Sequence, residues 1–199
     1  MKYYIDITLL PDAEANIGFL WEKVFQQVHI ALVEMKNPHG KSDIAVSFPG
    51  YGTKGFPLGN KLRLLASTQE QLQQLDIGKW LNRLTDYCHH TSIKDVPQVV
   101  ETFSLFKRVQ FNTNIERLAR RRAKRKGETF EEALKHFNGF KDKESKLPYI
   151  NLASSPKDTN GNKKHKFRLF VDRVMLDKPE AGEFNCYGLS KTATVPWFK

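Results

Sequence analysis

"KYYIDITLLPDAEANIGFLWEKVFQQVHIALVEM" spans residues 2–35, and it holds two hydrophobic periods in succession. The first nine residues are rich in β-branched and aromatic side chains and end at Pro11 and Asp12, which reads as a strand. From Ile17 to Met35 the apolar residues Leu20, Trp21, Val24, Phe25, Val28, Ala31, Leu32 and Met35 recur at helical spacing on one stripe, which reads as a long helix. The fold of the first half depends on the elements that come after this strand–helix unit.

"NPHGKS" (37–42) stops the helix with Pro and Gly. "DIAVSF" (43–48) predicts a second strand. A Gly/Pro-rich loop over 49–60 leads to a third, "KLRLLAS" (61–67). Ser67 or Thr68 can cap a helix from about Gln69 to Tyr87, broken near Gly78. "TSIKDVP" (91–97) predicts a fourth strand. The order βαββαβ is the ferredoxin-like arrangement, with two helices on one face of an antiparallel sheet. Many unrelated proteins share it, so it does not by itself imply a function. The paired aromatics of the usual RNA-recognition signature are missing from the third strand.

The chain has 199 residues and a formal net charge of +10. Residues 1–99 carry ten Lys/Arg and ten Asp/Glu, so the whole excess lies in residues 100–199. A neutral half joined to a strongly basic half points to a polyanion, nucleic acid before an anionic membrane surface, with a merely solvated basic face as the third reading. No apolar run approaches the ~20 residues of a membrane span. Asp6 interrupts the opening apolar stretch, so no cleaved signal peptide is expected. The two cysteines, Cys88 and Cys186, have no metal spacing and form no disulfide framework, so a reducing, cytoplasmic setting is expected.

The second half opens with a strand-like run, "ETFSLFKRVQF" (101–111), carrying Arg108 and Gln110. Then comes "NIERLARRRAKRKG" (114–127), in which Arg117, Arg120, Arg121, Arg122, Lys124, Arg125 and Lys126 are cationic and Glu116 is the one acid. Thr113 and Glu116 form a T-x-x-E capping box, and Gly127 ends the helix, which is expected over about 113–126. Ile115, Leu118, Ala119 and Ala123 share one side, and Arg117, Arg120, Arg121, Lys124 and Arg125 spread over the other. Like charges at i,i+4 repel by a few tenths of a kcal/mol each, about 0.2–0.5 in isolated helices. A polyanion relieves that repulsion, and arginine suits bidentate contacts to guanine edges. A solvated basic face is the plainer alternative.

"TFEEALKHF" (129–137) predicts a short helix with a second capping box, Thr129 and Glu132. "LPYINLASS" (147–155), "FRLFVDRVML" (167–176) and "FNCYGLS" (184–190) predict strands, "PKDTNGNKKHK" (156–166) a polar basic loop, and "TVPWFK" (194–199) an aromatic tail. His29 falls near the edge of the long helix's apolar stripe, beside Phe25 and near Glu22. It reads either as a half-buried packing histidine or as a general acid or base at a seam.

Taken in order, several motifs resemble the type I-F CRISPR repeat endoribonuclease family. They are the opening strand with "LPD", the helix with His29, "VSFP" (46–49), "RVQ" (108–110), the arginine helix, "KFRLF" (166–170) and "CYGLS…VPWF" (186–198). The resemblance implies an α+β chain, with a ferredoxin-like domain over 1–97 carrying the catalytic histidine. A basic α+β RNA-binding domain over 98–199 then bears the arginine helix. It implies cleavage of precursor CRISPR RNA below a short hairpin, without metal or other cofactor, by attack of the substrate's 2′-hydroxyl. The products would be a 2′,3′-cyclic phosphate and a 5′-hydroxyl.

On the matching positions, the resemblance places the catalytic histidine at His29, the serine holding the hydroxyl at Ser154, and an active-site tyrosine at Tyr187. Ser155 competes with Ser154, because "KDTNGNKK" (157–164) lengthens the adjoining loop. Arg108 and Gln110 fall on the pair reading bases at the foot of the stem, Arg121 and Arg125 on the groove-reading arginines, and Phe167 on the aromatic stacking at the stem base. Arg117, Arg120 and Lys124 join them as expected RNA contacts. The implied partners are the CRISPR repeat hairpin and the other subunits of the type I-F effector complex, the free protein being a monomer without a membrane. A non-cutting hairpin-binding subunit of the same fold is the rival reading.

Overall fold

The computed structural model describes residues 1–111, 115–137, 146–153 and 166–198. They form a mixed α+β protein with two antiparallel sheets. The first is built from β1 (Tyr3–Leu9), β2 (Ala45–Ser47), β3 (Lys61–Ala66) and β4 (Cys88–His90), in the order β2-β3-β1-β4; the short β5 (Lys94–Asp95) also pairs with β1. Helix α1 (Ile17–Glu34) follows β1, and α2 (Gln69–Leu75) and α3 (Ile77–Leu81) follow β3. The second sheet orders β7 (Tyr149–Ala153), β8 (Lys166–Leu176), β6 (Thr102–Val109) and β9 (Val195–Trp197) as β7-β8-β6-β9.

The α1 stripe behaves as its spacing requires. Asn16 caps the helix by accepting the Phe19 N–H at 2.9 Å, and Leu20, Trp21, Val24, Phe25, Val28, Ala31 and Leu32 are buried. The Trp21 indole N–H donates to the Gly59 carbonyl at 2.8 Å, so its one polar atom is satisfied in the core. The same core takes in Phe106, Ile150, Leu152, Leu169 and Val171 of the second sheet. Within this larger unit α1 packs against β1, β7 and α3.

β1 and β3 also share a buried ion pair. Arg63 lies opposite Asp6 in the register and holds both carboxylate oxygens, at 2.6 and 2.9 Å. It donates to the Phe198 carbonyl at 2.7 Å and lies over the Tyr4 and Phe198 rings. Such a charge needs all of these partners in a dry interior.

Several boundaries differ from the sequence reading. The helix after β3 breaks at Asp76, in the left-handed region at φ 42°, rather than at Gly78. Thr68, not Ser67, caps it through a full capping box with Gln71. The fourth strand begins earlier, at Cys88, and the 91–97 segment retains only β5. Residues 184–190 form a turn rather than a strand, joined to Ser42 by a single bridge at Phe184. The aromatic end instead supplies β9, which closes the second sheet against β6.

The chain divides into two compact units, Met1–Val109 with Pro148–Lys199, and Gln110–Leu147. Both sheets belong to the larger. The smaller contains α4 (Ile115–Lys126) and α5 (Phe130–Lys135). Gly127, at φ 69°, ends α4, its N–H bonded to the Ala123 carbonyl at 2.9 Å. Thr129 and Glu132 form the expected capping box of α5. The cap expected for α4 at Thr113 lies outside the described residues.

Candidate active site

His29 sits on α1, half-buried, one residue past the buried Val28. Its Nδ1 lies 2.9 Å from the main-chain oxygen of Cys186. A carbonyl can only accept, so Nδ1 carries the proton and Nε2 is the nitrogen left with a lone pair in the neutral ring. The ring stacks on Tyr187, centroids 4.1 Å apart and planes 9° from parallel. Burial pulls the imidazole below its usual value of 6.5, and the Arg108 guanidinium pulls the same way, against the raising effect of the Cys186 hydrogen bond. The neutral form is therefore favoured near neutral pH.

The loop that holds His29 is built from hydrogen bonds on all sides. Its own turn is closed by Gly188 N–H to the Asn185 carbonyl and Asn185 N–H to the Leu189 carbonyl, both at 2.8 Å. Val46 N–H of β2 reaches the Gly188 carbonyl at 2.8 Å, and Ser190 N–H reaches the Phe106 carbonyl of β6 at 3.0 Å. The loop thus bridges both sheets. Gly188 has φ 69°, and a Cβ there would meet Val46 Cγ2 at 2.5 Å, so only glycine fits the approach.

Arg108, on β6, completes the cluster. Its guanidinium lies 5.0 Å from the Tyr187 ring centroid and 5.6 Å from that of Phe167, at the start of β8. Burial pushes the Tyr187 phenol upward and outweighs the lowering effect of Arg108, so the phenol stays protonated at neutral pH. Among the described residues the buried Nε of Arg108 has no hydrogen-bond partner, and a buried cationic N–H in that state is suited to an external acceptor. The structure therefore brings His29, Arg108, Phe167 and Tyr187 into one place.

Ser154 and the competing Ser155 lie outside the described residues. The chain is described up to Ala153, whose N–H donates to Gln26 Oε1 at 3.2 Å. Gln26 stands one turn before His29 on α1. Gln110 follows β6, is exposed and belongs to the smaller unit. The sequence reading missed Gln26, Asn185 and the Cys186 carbonyl. The first could have been noticed from its i,i+3 spacing to His29, but a main-chain acceptor leaves no mark in residue types.

In the smaller unit Arg117, Arg120, Arg121, Lys124, Arg125 and Lys126 of α4 are exposed, while Ala119 is buried and Ile115, Leu118 and Ala123 are partly covered. The helix is less purely repulsive than its sequence suggested. Glu116 binds Arg120 at 3.1 Å, four residues on, and Glu128 pairs with the half-buried Arg122 at 2.5 Å. Arg120 also lies over the Phe130 ring.

Among the described residues no group of three His, Cys, Asp or Glu side chains could hold a metal ion, and no helix is long and apolar enough to cross a membrane.

Residues 4–198 match the family model of the CRISPR-associated protein Cas_Csy4. The CRISPR-associated endonuclease Cas6/Csy4 of Escherichia coli (strain UTI89 / UPEC) is 35% identical over 199 residues, covering the whole of both chains. The protein of the same name from Pseudomonas aeruginosa (strain UCBPP-PA14) is also 35% identical over 199 residues, again across the full length of both. With a likeness of that extent and a preformed histidine–tyrosine–arginine cluster in its larger unit, the chain belongs to the Cas_Csy4 family of CRISPR-associated proteins.

Proposed function

We propose that this protein is an endoribonuclease that cuts precursor CRISPR RNA at the foot of the repeat stem-loop, using the RNA's own 2′-hydroxyl as nucleophile. One observation carries the reading: the Cys186 carbonyl occupies Nδ1 of His29 and leaves Nε2 for the substrate. The full-length likeness to proteins named CRISPR-associated endonucleases supports the substrate class.

In this reaction Nε2 of neutral His29 takes the proton of the 2′-hydroxyl. The freed 2′-oxygen bonds to the adjacent phosphorus, and the bond from phosphorus to the 5′-oxygen breaks. The departing 5′-oxygen takes up a proton, leaving a 2′,3′-cyclic phosphate and a 5′-hydroxyl. The nucleophile is already in the substrate, so the protein supplies orientation, a proton acceptor and charge stabilisation. No metal enters the scheme. Tyr187 fixes the imidazole plane from below. Ser154, or Ser155 in its place, holds the attacking hydroxyl. Arg108 faces the reacting phosphate or a base at the foot of the stem with its Nε, and Gln110 reads a base there too. Phe167 stacks under the stem's last pair.

The exposed arginine face of α4 is proposed to enter the stem's groove, with Arg121 and Arg125 on base edges and Arg117, Arg120 and Lys124 on phosphates. In this division of labour residues 1–97 bring the catalytic histidine and residues 98–199 bring most of the RNA contacts. The protein is proposed to act as a cytoplasmic monomer when free and to stay on the hairpin product within the type I-F ribonucleoprotein. Sedimentation of the free chain and co-purification with the effector subunits test those two points.

The central test is incubation with repeat RNA in EDTA, with end-group analysis of the products. The expected result is one cut with a 2′,3′-cyclic phosphate end, and no cut when the nucleotide 5′ of the scissile phosphate is 2′-deoxy. Intact RNA in a tight complex would instead establish the rival role, a hairpin-binding subunit that does not cut.

A further inference from the structure

His29 is held by a peptide group, and that peptide is itself held. The Cys186 carbonyl that faces His29 Nδ1 at 2.9 Å belongs to the same peptide unit as the Tyr187 N–H. All described peptide bonds are trans, so this C=O and N–H point in opposite directions. The Tyr187 N–H donates to the Asn185 side-chain oxygen at 2.8 Å, and the same oxygen receives the Leu189 N–H at 3.4 Å. One continuous chain of donors and acceptors therefore runs from Asn185 Oδ1, through the Cys186–Tyr187 peptide, to the imidazole.

We infer that Asn185 is a positioning residue for His29, acting through the peptide that joins Cys186 to Tyr187. The inference rests on the proposed role of His29 as the base. The Asn185 amide oxygen fixes the plane of that peptide and thereby the direction of the Cys186 carbonyl. It also polarises the peptide, which strengthens the carbonyl as an acceptor. Both effects hold the proton on Nδ1 and the lone pair on Nε2. The side chain also fixes the Tyr187 backbone, and so the ring on which the imidazole lies. Among the described residues the groups that face the His29 ring are Tyr187, the Arg108 guanidinium and the Cys186 main chain. Asn185 touches none of the reacting atoms.

The test compares Asn185→Ala, which removes the acceptor, with Asn185→Asp, which keeps it and adds a negative charge. Long-range nitrogen–proton NMR of labelled RNA-free protein reads the His29 tautomer without any need for activity. The wild type is expected to show Nδ1–H, Asn185→Ala a mixture with Nε2–H, and Asn185→Asp the wild-type form. Single-turnover cleavage should fall about tenfold or more in Asn185→Ala, since small misplacements of a reacting group are costly. Its affinity for an uncleavable 2′-deoxy hairpin should be unchanged. Asn185→Asp should recover the rate near its optimum. A carboxylate raises the pKa of a neighbouring imidazole, so its acid limb should move to higher pH. If Asn185→Ala keeps the pure Nδ1–H tautomer and the full rate, the inference is overturned. A wild type that binds the RNA and does not cut it would sink the proposed function instead, while the tautomer comparison still judges Asn185.

Discussion

In the larger unit the His29 imidazole is oriented before any RNA arrives; in the smaller one the charges are displayed. His29 is pinned through Nδ1, stacked on Tyr187 and pulled toward neutrality by burial and Arg108. Along α4 six of the seven cations between Arg117 and Lys126 are exposed. The contrast separates rate from affinity. A proton transfer depends on one nitrogen being held in one direction, which packing and hydrogen bonds supply. Affinity for a polyanion grows with the number of cations that meet phosphate and with the counterions they release.

That separation can be broken by four substitutions or titrations. The largest effect is expected from His29→Ala. It should abolish cutting while hairpin affinity stays within a few fold, as single-turnover and filter-binding assays on the same RNA would show. A variant that binds tenfold more weakly would make His29 part of the affinity surface. Gly188→Ala comes next. Left-handed backbone costs an L-residue about 1–2 kcal/mol, and the overlap with Val46 adds to it. Thermal unfolding should show that loss, and cleavage should slow because the Cys186 carbonyl moves with the loop. Unchanged melting and rate would mean that the loop does not need its present fit against β2.

Arg121→Ala should act on the other side of the comparison. A base-reading arginine is worth about 1–3 kcal/mol of hairpin binding, selectively for the cognate sequence. The exposed side chain should leave the melting temperature where it was. An equal loss on every RNA would make it a phosphate contact. The smallest expected signal is in the pH profile. In the proposed reaction the neutral imidazole is the active form, and its pKa lies below the usual 6.5 in the RNA-free protein. Because kcat/KM reports the free protein, the midpoint of its acid limb should fall below 6.5. A limb above 6.5 would contradict the described surroundings of His29.

The parts of this molecule that repeat were legible in its sequence. The α1 stripe is buried as its spacing predicts, the Thr129–Glu132 box caps α5, and Gly127 ends α4. Periodicity and capping are local rules, so residues 17–35 and 115–135 declare themselves. The loop 184–190 did not. Its apolar residues look like a strand, but Asn185 and Gly188 close a turn, Phe184 and Leu189 are buried, and the main chain bonds to Val46 of β2 and Phe106 of β6. Tertiary packing overrode local preference there. His29 could be ranked as a candidate because its residue type and its position on the stripe are visible. Its tautomer could not, since that rests on a carbonyl 157 residues away. The two acidic partners of α4 were half legible, Glu116 through its i,i+4 spacing to Arg120, and Glu128 only once the helix end brought it to Arg122.

The most direct test is a structure of the protein on a repeat hairpin that carries a 2′-deoxy nucleotide at the cut. Nε2 of His29 is predicted within hydrogen-bond reach of where the missing hydroxyl would lie, with Nδ1 still on the Cys186 carbonyl. An imidazole turned away from the scissile linkage, or one that meets the RNA through Nδ1, would contradict the role given to His29.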